Sequence, residues 1–498
     1  PQNPVALVGE ATRLARMHVP VRINGDVGFF QGVMKAMLEE ERRAPGTVLD
    51  SAFIERHTEG FAELQASLRA ESWRRLEAAS GASEREMRAA AAVAIASRAT
   101  IVTWAMGLTQ HANAVDNVQV IVDFLLLRGM IGRPGAGACP VRGHSNVQGD
   151  RTMGISHDMP QAWLDRLGRE VGFEPPRARG FDTVESIRAM LSGRASVFFA
   201  LGGNFLGAAP DTDATAEALR RCSLTVHVST KLNRGHLVTG RQALILPTLG
   251  RTEADLQGGT AQFVTVEDSM GVVHASRGAL APAGPLLLSE SRIVARLARA
   301  TLGDRPVDWT ALADDYDRIR VLIARVVPDC EPYARGVRRF VLRNPARERV
   351  FPTESGRARF TLAPLPDHRL EAGQLLMMTI RSHDQYNTTV YGLDDRYRGV
   401  TGGRRVVLVN PDDARERGLG AGDIVDITSH FEDGARVATR FVIVPYRIPR
   451  GCCATYFPEA NVLVPLGAVA RKSNTPASKS VVVTLARAEE RAPRAEQA

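Results

Sequence analysis

The segment from Gly129 to Gly154 restricts the fold of this chain more than any other, because it is too rich in glycine to form a helix or a strand. Loops of this length are usually either functional or disordered. We expect this one to be ordered, because its apolar residues lie among small residues rather than in a polar tract. Glycine lets backbone N–H groups approach a bulky ligand, and arginine binds anionic oxygens in pairs. The segment therefore predicts a loop for an anionic ligand, with three arginines in it: Arg133, Arg142 and Arg151.

The formal net charge of +8 comes from arginines scattered through glycine-rich turns and strand ends, with no polybasic run. An internal polyanionic ligand or a solvated arginine surface explains this distribution better than nucleic acid or a membrane does. The length of 498 residues, with 44% hydrophobic and 24% charged residues, is typical of a soluble globular protein of about three domains.

The cysteines show no spacing typical of a metal site, so we expect reduced thiols and a cytoplasmic location. They are Cys139, Cys222, Cys330, Cys452 and Cys453. No apolar run is long enough for a membrane span, and no signal peptide is visible. The chain opens with PQNPVALVGE and has no initiator methionine, so we expect further residues upstream in the native molecule.

The N-terminal hundred residues are predicted to be mainly helical. Pro20–Ile23 is predicted as a strand that leads through Asn24-Gly25-Asp26 into a helix over Val27–Glu41. Asp26 could serve a ligand at that helix N-terminus or simply cap the helix. The pattern from Ser51 to Ala99 is helical throughout.

The next two hundred residues alternate between strands and helices. Thr100–Met106 is predicted as a buried strand, and the apolar helix beginning at Asn113 should lie in the core and end at Gly129. Three short strands with polar or glycine residues at their carboxyl ends imply a parallel, doubly wound sheet, and ligands bind at those ends. They span 196–201, 224–228 and 243–246. The Gly202-Gly203-Asn204 turn lacks the full GxGxxG pattern, which disfavours a simple NAD site.

The last third of the chain changes to β composition. Helices over Glu290–Leu302 and Asp308–Val327 precede a segment rich in proline and arginine, and short strands then predict a compact β-barrel. Those strands span 375–380, 405–409, 424–428, 437–444 and 481–485. The predicted domains are 1–100, the end of an α/β cofactor-binding domain with a helical extension; 101–330, an α/β domain; 331–373, a connecting segment; 374–487, the barrel; and 488–498, a disordered tail.

Several motifs in order along the chain resemble the molybdopterin oxidoreductases of the DMSO-reductase superfamily, and most closely the branch similar to formate dehydrogenase alpha subunits. The longest spans TWAMGLTQHANAVDNV and GMIGRPGAGACPVRGHSNVQGDRTMG, and others are PVRINGD, SVFFALGGNFLGAAPD and NPDDARERGLGAGDIVDI. The resemblance covers nearly the whole chain. It implies α/β doubly wound (Rossmann-like) domains followed by a double-psi type β-barrel that binds a dinucleotide.

The resemblance also implies a cofactor, a molybdenum or tungsten ion held by the dithiolenes of two molybdopterin guanine dinucleotides, abbreviated bis-MGD. Matching motifs transfer the cofactor-binding role to residues in strand-end turns and in the barrel. They are Gly25, Asp26, Met106, Gln110, Gly203, Asn204, Ser229, Thr230, Arg381, Ser382, His383, Gln385, Asn387, Thr388, Tyr456, Asn461 and Lys479. For each of them a merely structural role in a turn is the alternative.

Two residues of the glycine-rich segment are implied in catalysis. Arg142 matches the arginine that formate dehydrogenases place beside the metal, where a guanidinium would orient a small carboxylate. The nearby position that is often glutamine in formate dehydrogenases is His144 here, which is either a proton acceptor or a hydrogen-bonded pocket residue. No protein ligand to the metal can be located in this chain. The cysteines of the family's [4Fe–4S] cluster are also not found, so that cluster is expected from a region upstream of Pro1.

The sequence therefore predicts the catalytic subunit of a molybdenum or tungsten oxidoreductase that resembles formate dehydrogenase. It would carry out two-electron chemistry on a small, formate-like substrate and pass electrons through an iron–sulfur cluster to an electron-transfer partner. The alternative is a cofactor-binding polypeptide without turnover of its own, part of a split or truncated enzyme. An NAD-dependent dehydrogenase is a third and more distant hypothesis.

Overall fold

The structure is a computed structural model that describes residues 15–141, 143–144, 146–388 and 390–489. Arg142 therefore lies outside the described residues. The predicted tail lies outside them as well, from residue 490 onward.

Five helices and one short strand form the first structural unit. They are α1 (Asp26–Arg43), α2 (Ser51–His57), β1 (Thr58–Glu59), α3 (Phe61–Ala70), α4 (Trp73–Ser80) and α5 (Glu84–Ala96). Side chains fix where these helices begin: Ser83 and Glu86 form a reciprocal capping box at α5, and Ser72 accepts the Arg75 N–H at α4. Helix α1 packs between α4 and α5, with Met34 and Met37 fully buried.

The predicted strand at Pro20–Ile23 is wrong. The Arg22 N–H bonds to the carbonyl of Ser80 (2.8 Å), at the end of α4, instead of to a neighbouring strand. Asn24 then takes a left-handed conformation with φ 61°, and its side chain bonds to Asn113 (2.8 Å). This turn is held by helix ends rather than by a sheet.

The glycine-rich segment is more regular than predicted. The elements around it are β2 (Ile101–Trp104), α6 (Met106–Thr109), α7 (Ala114–Leu126), β3 (Gly137–Pro140) and α8 (Val147–Thr152). The expectation of no helix or strand is wrong, because β3 pairs in parallel with β2, from Ile101 opposite Gly137 to Trp104 opposite Pro140. Gly129 has the predicted left-handed φ of 60° beyond α7.

Helix α7 lies in the core, as its apolar sequence predicts, and it carries two buried carboxylates, Asp116 and Asp123. Asp123 is 1% exposed and accepts hydrogen bonds from the backbone N–H and the hydroxyl of Thr361 (3.2 and 2.8 Å). Burial raises the pKa of Asp123 to about 7. The segment between the α/β part and the barrel is thereby attached to the core helix.

A parallel sheet and its helices follow. They are α9 (Gln161–Val171), α10 (Thr183–Leu191), β4 (Val197–Leu201), α11 (Phe205–Ala208), α12 (Thr212–Arg221), β5 (Leu224–Ser229) and β6 (Gln242–Pro247). The three strands are parallel and stand in the order β4–β5–β6. Because consecutive strands are adjacent and parallel, their carboxyl ends meet at one edge, as predicted.

A second, antiparallel sheet was not predicted. The elements of this region are β7 (Leu256–Gln257), β8 (Thr260–Ala261), β9 (Val264–Glu267), β10 (Val272–Ser276), α13 (Glu290–Leu302), α14 (Trp309–Asp314), α15 (Tyr316–Val326), β11 (Phe340–Val341) and β12 (Ala358–Arg359). Strands β9, β10 and β11 form the sheet, and β12 pairs with β1. The single helix predicted over Asp308–Val327 is two helices, because Asp315 is extended and its side chain caps α15 at Asp317.

The last part is a closed six-stranded barrel, as predicted. It contains β13 (Leu375–Ile380), β14 (Val406–Val409), α16 (Pro411–Glu416), β15 (Ile424–Phe431), β16 (Gly434–Pro445), β17 (Cys452–Tyr456) and β18 (Val481–Arg487), with the strand order β13–β17–β14–β16–β15–β18. Valine-rich strands fill the interior with residues such as Val407, Val425 and Phe441.

Several polar contacts attach the barrel to the rest of the chain, and three of them reach the starts of helices. Arg436 pairs with Asp211 at the start of α12 (2.7 Å). Asn474 donates to Asp182 at the start of α10 (2.7 Å), and Arg471 pairs with Asp116 in the first turn of α7 (2.7 Å). They hold the barrel against the edge at which the parallel strands end.

Candidate cofactor site

A cavity of about 1570 Å³ lies between the carboxyl ends of the parallel strands and a loop of the barrel. The turns after β4 and β5 form one wall, and barrel residues 386–388 lie on the other. Six residues predicted to bind cofactor line this cavity together: Gly203, Asn204, Ser229, Thr230, Asn387 and Thr388. Strand ends supply such a cavity because each parallel strand stops at the same edge and exposes its turn there.

The glycine-rich segment reaches the same cavity. His144 is exposed and lines it, and its ring centroid lies 5.8 Å from that of Tyr386. A Cβ atom added to Gly143 would lie 3.9 Å from Nη1 of Arg381. Gly143 and His144 of the motif PVRGHSNVQG therefore lie close to Arg381 and Tyr386 of the motif RSHDQYNT.

A second group of predicted residues surrounds Lys479, which is half-buried. The Lys479 ammonium donates to the carbonyl of Thr379, and its backbone N–H donates to the carbonyl of Gln110 (3.1 Å). The side-chain oxygen of Gln110 accepts from Ser478 (2.9 Å), and its amide contacts the sulfur of Met106 (3.8 Å).

Positive charge in this group is not balanced by acidic side chains. Burial, and then the charge of Arg381, lowers the pKa of Lys479 to about 8, and burial also lowers the pKa of Arg381. Among the residues that the structure describes, no carboxylate lies within ion-pair distance of either cation. Two such cations side by side favour an anionic ligand, so these residues fit a cofactor that carries phosphates.

One buried arginine that the sequence reasoning missed organises the barrel loop. Arg404 is 4% exposed and pairs with Glu459 (2.7 Å). It also donates to the hydroxyl of Ser382 (2.6 Å) and to the side-chain oxygen of Gln385 (3.1 Å). Ser382 and Gln385, predicted to contact cofactor, are thus engaged in holding their own loop. The Arg404-Arg405 pair just before a valine strand was the only signal in the sequence.

His383 is held within this loop too. Its ring lies edge-on to Tyr397 with centroids 3.8 Å apart, and Nε2 contacts Arg396 (2.5 Å).

Four other predicted residues do not line this cavity. Tyr456 is 1% exposed and donates to Asp395 (2.8 Å). Asn461 is equally buried and donates to the carbonyl of Gly207, a residue of the cavity wall (2.6 Å). Gly25 precedes α1, where an added Cβ would lie 2.7 Å from the Ser80 carbonyl. Burial raises the pKa of Asp26, the first residue of α1, to about 6.

The described residues contain no group of three or more histidine, cysteine or acidic side chains arranged to hold a metal ion. All five cysteines are free. None of the helices in the described ranges is both long and apolar enough to cross a bilayer.

Comparison with known proteins identifies the domain that contains the barrel. Residues 375–482, which include most of the barrel, match the family described as molydopterin dinucleotide binding domain. Acetylene hydratase from Pelobacter acetylenicus shares the fold, with a TM-score of 0.61 and 16% identity over 95% of this chain and 72% of that one. The barrel is therefore a molydopterin dinucleotide binding domain, and the chain shares the fold of acetylene hydratase.

Two relatives match different shares of this chain. An oxidoreductase of Mycobacterium tuberculosis is 51% identical over 97% of this chain. Formate dehydrogenase H of Escherichia coli is 31% identical over 30% of this chain and 20% of its own length. The chain spans 64% of the length of the mycobacterial relative.

Proposed function

We propose that this chain forms most of the catalytic subunit of a bis-MGD oxidoreductase that oxidises formate or a similar small carboxylate. The observation that carries the proposal is the shared cavity, in which Gly143 and His144 lie beside Arg381 and Tyr386 of the barrel loop. The partial similarity to formate dehydrogenase H supports the substrate class.

Two sets of residues would hold the cofactor. Asn204, Ser229 and Thr230 would donate hydrogen bonds to one dinucleotide at the strand ends. Lys479 and Arg381 would neutralise phosphate or pterin oxygens on the other side of the barrel loop, where their own charges are unbalanced. When bound, the molybdenum or tungsten centre supplies a two-electron acceptor.

The chain itself would orient substrate and move a proton. The guanidinium of Arg142 would hold both oxygens of formate through paired hydrogen bonds. Oxidation of formate would break its C–H bond and release carbon dioxide, a proton and the two electrons that the bound group would accept. His144, exposed in the cavity wall, is the candidate acceptor for that proton.

Three parts of the proposal lie outside the described structure. Electrons would leave through a [4Fe–4S] cluster, for which the five cysteines of this chain offer no site, and then pass to a separate electron-transfer partner. A cytoplasmic location rests on the cysteine pattern alone and remains a prediction.

The proposed function is tested by anaerobic turnover of the full-length enzyme with formate as substrate and a viologen dye as one-electron acceptor. We expect formate-dependent dye reduction that scales with the metal content of the preparation. A metal-loaded enzyme that leaves the dye oxidised in formate would contradict the substrate assignment. Bound guanine nucleotide without metal or turnover would instead favour a cofactor-binding polypeptide that has no activity of its own.

A further inference from the structure

Glu267 is 6% exposed and contacts the last part of the glycine-rich segment. It is the last residue of β9, in the antiparallel sheet that the sequence did not predict. Its carboxylate has one donor on each oxygen: Gln148 Nε2 donates to Oε1 (2.5 Å), and the Thr152 hydroxyl donates to Oε2 (2.6 Å). A buried carboxylate that accepts hydrogen bonds from two neutral donors fixes both of them, because losing either would leave a charged oxygen unsatisfied.

The backbone of Glu267 makes a third contact to the same element. Its N–H donates to the side-chain oxygen of Asn146 (2.9 Å), the residue directly before α8. All three partners therefore lie between residues 146 and 152. We call these three contacts of Glu267 the anchor. Asn146 is two positions after His144 and four after Arg142, so the anchor begins directly after the proposed catalytic residues in the sequence.

Helix α8 packs closely against β9 at Gly149. A Cβ atom added to Gly149 of α8 would lie 2.1 Å from Oδ1 of Asn146 and 3.2 Å from Cβ of Glu267. Helix α8 thus sits against β9 with no room for a side chain at that position. Six residues of helix are too few to be stable alone, so the position of α8 depends on such contacts.

We propose that Glu267 is a positioning residue, which holds α8 so that His144 is presented to the cavity. This inference rests on the proposed function of His144. Glu267 itself does not line the cavity and touches no reacting atom in this account. Misplacement of a catalytic group by about 1 Å can lower a rate on the order of 100-fold, so loss of the anchor should act on turnover more than on cofactor binding.

The test compares Glu267→Gln with Asp268→Asn in the full-length holoenzyme. Asp268 is the adjacent residue, and its carboxylate bonds within its own hairpin to Met270, Val272 and His274, so it is a matched control. We expect Glu267→Gln to lower kcat by roughly 10- to 100-fold with unchanged metal content and a smaller change in KM. Hydrogen exchange of the amides from 146 to 152 should become at least several-fold faster, and Asp268→Asn should alter neither quantity.

A double variant in which residues 267 and 148 are exchanged tests whether the loss of turnover comes from the hydrogen bond between them. When Glu267→Gln is combined with Gln148→Glu, the hydrogen bond between these two positions forms again with donor and acceptor exchanged. The side-chain oxygen at position 267 can still accept from Thr152, so kcat and exchange protection should recover. If Glu267→Gln does not fold, Gln148→Leu removes only the hydrogen bond from Gln148 to Glu267. It should lower kcat and exchange protection in the same direction but by less.

Unchanged turnover and unchanged exchange in Glu267→Gln, or a swapped pair that recovers nothing, would overturn the inference. If the wild-type enzyme does not oxidise formate, the proposed function fails, and the exchange measurements still decide whether Glu267 orders this segment.

Discussion

Replacement of Arg142 by alanine is expected to lower kcat/KM for formate by about 1,000-fold, the upper range for removal of one fixed donor in an active site. The guanidinium is the only group proposed here to hold both carboxylate oxygens, and water in its place would not fix their orientation. Cofactor and metal content should stay at the wild-type level, because the residues proposed to bind cofactor are elsewhere. Steady-state kinetics and metal analysis on the same preparation provide the measurement.

Two controls separate orientation from charge. Arg142→Lys keeps the positive charge and loses the planar pair of donors, so it should recover only a small part of the activity. Arg151 lies in the same segment, and its guanidinium donates to the carbonyl of Ile155 (2.6 Å), so Arg151→Ala should keep most of the activity. An Arg142→Ala enzyme with normal kinetics would remove Arg142 from the mechanism.

Replacement of Lys479 by methionine is expected to have opposite effects on the cofactor-free and cofactor-loaded proteins. Without cofactor, the folded chain holds this ammonium half-buried beside Arg381, which costs stability. Lys479→Met should therefore raise the Tm of the cofactor-free protein by roughly 2–4 °C. Retention of cofactor during gel filtration should fall by roughly tenfold, because a charge-assisted contact to the cofactor is lost.

The pH dependence of the gain in Tm from Lys479→Met follows from the lowered pKa of Lys479. The pKa of Lys479 is about 8 in the folded chain and about 10.5 when unfolded, so the destabilising effect is fully present below pH 8. It is relieved as the pH rises from about 8 to 10.5, because the folded chain then loses the proton first. The gain in Tm from Lys479→Met should therefore be largest below pH 8 and shrink above it.

The matched control for Lys479 is Lys472→Met. Lys472 is an exposed lysine of the same barrel segment, 3.8 Å from Asp116, and its replacement should change neither Tm nor cofactor retention by a comparable amount. A Lys479→Met protein that is less stable without cofactor, and equally well loaded with it, would show that the lysine serves the fold.

The strands of the fold were predictable where side chains alternate or where an apolar run is bounded by turns. The parallel strands β4, β5 and β6 and the barrel strand β13 were found to within a residue or so. Strand β17 was missed because all five of its residues, CCATY, are buried, so no alternation marks it. Strand β3 was missed because glycine and proline argue against a strand, and pairing with β2 overrides them.

The site was predictable only where it is local in sequence. Turns after parallel strands identified Gly203, Asn204, Ser229 and Thr230, because the carboxyl ends of such strands must meet. Arg404 and Glu267 were not predictable in this way. Arg404 pairs with Glu459, and Glu267 bonds to Gln148, and no periodicity relates residues so far apart in the chain.

The central claim is that the cavity between the strand ends and the barrel loop is shaped for a molybdopterin guanine dinucleotide. Its most direct test is the amount of guanine nucleotide released by acid hydrolysis of the purified full-length protein, relative to molybdenum plus tungsten in the same sample. We expect two guanine nucleotides per metal ion, and a lower ratio when Ser229 and Thr230 are both replaced by valine. A metal-loaded protein that releases no guanine nucleotide would contradict the claim.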